Sequence, residues 1–125
     1  VIPPSTLKEA KANGKLDMFR ASWIADYPDA ENYLSLYYSK NFAPNGPNYT
    51  HFSNAQFDAW YEQAFTETDT KKREQLYTKM DSLVMSKTPV VNMFYDEVVR
   101  FTRKEINGLG INPINLLELK RVKKD

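Results

Sequence analysis

WIADYPDAENYL, residues 23–34, is where the chain changes its structural period. Just upstream, LDMFRASW (16–23) is short and rich in apolar and aromatic residues, and it reads as a strand. Downstream, Pro28 and Asp29 read as a helix start with Asp29 as N-cap. Tyr33, Leu34, Tyr37 and Tyr38 then recur as a helical stripe. A strand that hands over directly to a helix points to an α/β or α+β module. It also places Asp26, behind Trp23, at the strand end, the position where open α/β sheets hold ligands.

The flanking segments agree with that class. PSTLKEAKANG, ending at Gly14, predicts a short helix with proline and serine near its start and glycine as its stop. The opening VIPPS reads as a boundary or linker of something longer. KNFAPNGPNYTHF predicts a loop, with two prolines, a glycine and three asparagines. Ser53 and Gln56 form a capping-box pair ahead of Phe57, Trp60, Tyr61, Ala64 and Phe65 at helical spacing. A second amphipathic helix is expected over 70–86, with Leu76, Tyr77, Met80, Leu83 and Val84 on one face. PVVNMFY and VVRFTRK read as a hairpin around Asp96-Glu97, and a last strand is expected near 116–121. The whole chain, 1–125, reads as a single domain with helices packed on a small mixed sheet.

Bulk chemistry narrows the function. With 125 residues, 42% hydrophobic and 26% charged, the chain has enough apolar matter for a core and is not disordered in composition. A net charge of +1 gives no reason to expect a nucleic-acid partner, and the basic tail KRVKKD reads as a solvated end. With no cysteine, disulfides, thiolate metal sites and Cys nucleophiles are excluded. No apolar run approaches the roughly 20 residues that span a bilayer, and no signal-peptide pattern is present. The four glycines form no phosphate-binding loop. No cofactor is implied.

Catalytic readings are weak by comparison. Asp26 and Asp29 flank Tyr27-Pro28 and could serve as a general acid and base, but nothing enforces a separation across a substrate and Asp29 has a capping task. His51 is the single histidine, in a polar loop without a nucleophile motif. Asn48-Tyr49-Thr50 matches a glycosylation acceptor, a three-residue pattern of low specificity. Asp26 has two open readings: a turn cap beside a core tryptophan, or a carboxylate for a ligand cation with Trp23 and Tyr27 as flat walls. Arg20 is expected to form an internal salt bridge, with a ligand carboxylate as the other reading.

The stretch 23–34 resembles the W-x-A-D-Y-x-D-P-x-x-x-L signature of the extracytoplasmic solute-binding proteins of peptide ABC transporters. NYTHFSNAQFDAW, REQLYTKMDSLVM, TPVVNMFY and INGL are similar, in order, to further segments of that family, so the resemblance runs from about Leu16 to about Val122. It implies part of one lobe of a type II periplasmic-binding-protein-like fold, the carboxyl-terminal segment of a longer protein whose N-terminal lobe is missing here. Capture of a short peptide, and its delivery to an ABC permease in the membrane, would follow. On that resemblance Asp26 pairs with the peptide's α-ammonium group, and Trp23 and the Ile24 backbone run along the ligand. Arg20 then lies near the ligand's carboxylate end, and Tyr95 and Asp96 at the pocket rim. Ala30 and Asn92 replace prolines of the pattern, and Asp96 stands where an aromatic is common. A nickel chelate or oligosaccharide cargo, a carboxylate-dependent hydrolase and a bare interaction module are the rival readings.

Overall fold

A computed structural model describes residues 3–95, 97–112, 114 and 116–125. Four helices carry most of the regular structure: α1 (Pro4–Ala12), α2 (Glu31–Leu34), α3 (Ala55–Thr66) and α4 (Thr70–Lys87). Two 3-10 turns, Ser35–Tyr37 and Ser39–Asn41, follow α2 directly. Two short strands, β1 (Ile106–Asn107) and β2 (Lys123–Lys124), pair antiparallel, with Ile106 opposite Lys124.

Local chemistry sets the helix ends. In α1, Pro4 occupies the first turn, where a missing N–H costs nothing, and Gly14 takes a left-handed φ of 60° just past the end. Asn54, not Ser53, caps α3: its side-chain oxygen accepts from the backbone N–H groups of Gln56 (3.0 Å) and Phe57 (3.1 Å). The capping-box spacing was therefore one residue out of register. Asp69 caps α4 in the same manner, accepting from Lys71 (2.9 Å) and Lys72 (3.1 Å). Thr88, at a left-handed φ of 51°, and Pro89 end that helix.

The core lies between α3 and α4 and is closed by α2. Phe57, Tyr61 and Ala64 face Leu76, Met80 and Val84, with Leu34 joining from α2. These residues recur every three or four positions, so one stripe of each helix is buried. Phe57 and Met80 are fully enclosed, and each such side chain is worth about 1.5–3 kcal/mol of burial. Tyr37, Phe52 and Phe57 meet edge to face at 5.9–6.4 Å, and Tyr38 stacks on Tyr61 at 4.5 Å. Phe65, expected in the buried stripe, points outward, as does Tyr33.

The loop 40–52 is held from inside. Asn48 is completely buried; its Nδ2 donates to the carbonyls of Tyr38 (3.1 Å) and Phe52 (3.0 Å), and its Oδ1 accepts from Thr50 Oγ1 (2.9 Å). Both hydrogens of the amide that a glycan would need are taken by the fold, so the acceptor pattern has a structural explanation. Asp58 of α3 accepts from the N–H and hydroxyl of Ser39, which ties the second 3-10 turn down.

The strand expectations fare differently. Residues 16–23, 89–95, 97–104 and 116–121 form no ladder among the described residues. A strand needs a partner, and β propensity measures packing against one rather than a preference of the backbone itself. Val91, Met93, Phe94, Val99, Phe101 and Ile111 are correspondingly exposed. The chain exposes 10098 Å², whereas a self-contained folded monomer of 14.5 kDa exposes roughly 6,900 Å².

Candidate functional site

The turn between the extended segment and α2 is organised by a residue that the sequence reading passed over. Asn32, on α2, is only 4% exposed. Its Oδ1 accepts from Trp23 Nε1 at 2.7 Å and from the backbone N–H of Asp26 at 3.2 Å. Its Nδ2 points at Asp26 Oδ2, 3.5 Å away, at the long limit of a hydrogen bond. Trp23 and Asp26 are thus brought together, both accessible and both tied to one buried amide. Among the described residues no lysine, arginine or histidine lies within ion-pair distance of Asp26.

Asp29 builds the start of α2 from two residues before its first residue, Glu31. The helix's N-cap position is Ala30, yet the side chain doing the capping is Asp29, which accepts from the Glu31 N–H at 2.9 Å. The Asp29 carboxylate also meets Arg73 of α4 at 3.6 Å, pinning the turn to the core. Tyr27 turns its hydroxyl to Glu31, and Tyr61 donates to the other oxygen of the same carboxylate. That shared acceptor raises the Tyr27 pKa; for Tyr61, burial raises it first and Glu31 adds to it. Tyr77 is pushed up to about 12, chiefly by burial and then by Asp29. The side chains of Asp26 and Tyr27 therefore serve different ends, one toward the Trp23 turn and the other toward the core.

Arg20 is exposed and lines an open hollow of about 420 Å³ with Lys11, Ala21 and Ser22. The Lys11 ammonium sits 4.9 Å from the Phe19 ring and 5.4 Å from the Tyr49 ring. The internal salt bridge expected of Arg20 does not form among the described residues, so the hollow is cationic. Ile24 is 67% exposed beside Trp23. Tyr95 is 94% exposed, and no described hydrogen bond or ring contact joins it to the Trp23–Asp26 turn; Asp96 lies outside the described residues.

His51 is used structurally. Its Nε2 donates to the Ala43 carbonyl at 3.1 Å, its ring packs on Phe42, and it fills the space where a Cβ on Gly14 would come. No group of three His, Cys, Asp or Glu among the described residues could hold a metal ion. The arrangement suits recognition: an anchored carboxylate with an indole beside it, and a separate cationic hollow.

No known family profile matches the chain. Curated relatives do. The chain is 28% identical over 86% of its length to the probable deoxycholate-binding periplasmic protein YgiS of Escherichia coli (strain K12), and 27% identical over 86% to the periplasmic murein peptide-binding protein MppA of the same organism. In both cases it spans 19% of the relative. Among solved structures it superposes on the unliganded open form of the murein tripeptide binding protein MppA, with a TM-score of 0.62 and 29% identity, over 68% of this chain and 16% of that one. The expected α/β fold, part of a type II periplasmic-binding lobe, is shown by that match.

Proposed function

We propose, from the premise that this chain belongs to the extracytoplasmic solute-binding proteins of peptide ABC transporters, that it forms part of one lobe of a protein that captures short peptides for import. The carrying observation is Asp26: an accessible carboxylate, fixed through Asn32 beside the Trp23 indole, with no cationic partner among the described residues. A peptide's α-ammonium group is the complement of that arrangement, and Trp23 with the Ile24 backbone lies alongside it. Arg20 takes the ligand's carboxylate end, in the hollow it shares with Lys11. Tyr27 supports the turn from behind, and Tyr95 and Asp96 belong to the rim.

The function is capture without turnover. Asp29, the second acid a hydrolase would need, is committed to the Glu31 N–H and to Arg73. The chain is the carboxyl-terminal segment of a lobe in a longer protein. Its large exposed area and its unladdered extended segments support that reading, because both are what a body separated from its remainder presents. A second lobe closes over the ligand and the loaded protein docks on a membrane permease. The compartment is extracytoplasmic, as it is for the relatives named periplasmic.

Calorimetry on the full-length protein tests this. Asp26→Asn is expected to weaken a free-amino tripeptide by about 10- to 100-fold, the value of a charge-assisted hydrogen bond. The N-acetylated twin should bind both proteins alike. Equal affinity of the free-amino peptide for both proteins overturns the ammonium role. A second reading, a carboxylate cargo without an amine, is favoured by the relative named for deoxycholate and by the Lys11–Arg20 hollow. In that case Arg20→Gln abolishes binding and Asp26→Asn leaves it unchanged.

A further inference from the structure

We infer that Asn32 is the positioning residue of the amine site, the group that sets Asp26 and Trp23 as one unit; this rests on the ammonium reading above. Trp23 Nε1 and the Asp26 backbone N–H are obligate donors, and both point at the same atom of Asn32. That atom must be the amide oxygen, which fixes the amide's orientation and leaves Nδ2 facing Asp26 Oδ2. The indole and the Asp26 backbone are therefore tied to one atom, and the carboxylate is turned toward the other end of the same amide. Asn32 itself is immobilised from below: Leu34 of the same short helix is in the core, and Glu31 is gripped by Tyr27 and Tyr61. Rigidity runs from the α3–α4 core, through α2, to one side-chain amide and out to an accessible carboxylate. A site arranged in this way is already ordered when the ligand arrives, so less binding free energy goes into fixing the carboxylate.

The test compares the full-length protein with its Asn32→Leu and Asn32→Asp forms, each titrated with a free-amino tripeptide and its N-acetylated twin. The readout is the ratio of the two affinities, which a merely structural weakening would leave alone. In the parent, acetylation is expected to cost about tenfold or more. Asn32→Leu, which removes every hydrogen bond, should bring that cost below about threefold. Asn32→Asp keeps the oxygen for Trp23 and the Asp26 N–H but sets a second carboxylate against Asp26, so it also serves if the leucine form does not fold. Two like charges set against each other disturb the turn that the neutral amide held, so the ratio should move from the parent's by more than about threefold. A parent that discriminates, with both variants keeping its ratio within about twofold, overturns the positioning role. A parent that fails to discriminate at all refutes the ammonium reading first, and this inference with it.

Discussion

Replacing Asn48 by alanine removes two donated hydrogen bonds and one accepted bond from a site with no solvent access. Each such bond contributes about 1 kcal/mol net, and stranding the Tyr38 and Phe52 carbonyls adds their desolvation, so the expected loss is about 3–5 kcal/mol. Against typical domain stabilities of about 5–15 kcal/mol this is severe. Thr50→Val removes the accepted bond and also the longer one that Thr50 Oγ1 takes from the Phe52 N–H (3.3 Å), and is expected to cost about 1–2 kcal/mol. Asn48→Asp should be worse than alanine at neutral pH, because it turns a carboxylate oxygen toward two carbonyl oxygens in a buried space. On acidification that gap should narrow, since a protonated carboxyl can again donate one bond. Urea unfolding of the full-length protein, with hydrogen exchange read over residues 38–57, supplies the measurement. If Asn48→Ala proves no worse than Thr50→Val, the loop is held by its backbone bonds alone, between Asn48 and the main chain of Asn41 and Ala43, and the reasoning fails.

Two further outcomes follow from the same geometry. Asn54→Ala should cost about 1 kcal/mol of α3 stability and Ser53→Ala under about 0.5 kcal/mol, the reverse of what the sequence spacing suggests; thermal denaturation decides between them. Tyr77 has a folded pKa of about 12 against an ordinary 10.0, so the stability it contributes is complete below pH 10 and is lost as pH rises toward 12. Alkaline unfolding followed by near-ultraviolet tyrosinate absorbance should show that loss, and Tyr77→Phe should flatten it.

What could be read from the sequence was what short-range physics writes there. The α3 and α4 stripes, the Pro4 start of α1, and the turn at Pro28-Asp29 depend on residues within one or two helical turns of each other. The core of Phe57, Tyr61, Leu76, Met80 and Val84 was accordingly visible in advance. Asp29 was correctly given a capping task, although the helix it caps begins later and gives way to a 3-10 turn at Ser35. The extended segments were legible only as strand-like composition, because a ladder depends on distant residues: 16–23 showed no sign of its partner, and the hairpin read into 89–95 and 98–104 forms no ladder among the described residues.

The site divides along the same line. Asp26 and Trp23 stood out because acids and large aromatics at a strand end advertise chemistry by their type alone. Asn32 did not, being an ordinary polar residue at an unremarked position of a predicted helix. The helical stripe gave no signal, since Asn32 lies two positions from Leu34 and outside the Tyr33, Leu34, Tyr37 and Tyr38 face; its burial shows in the structure, and buried amides must find partners. Asking which donors could reach it, from a turn six to nine residues upstream, leads to the Trp23 indole and the Asp26 backbone. In the site proposed above, the buried amide thus sets the arrangement, and the conspicuous residues beside it are the ones proposed to meet the ligand.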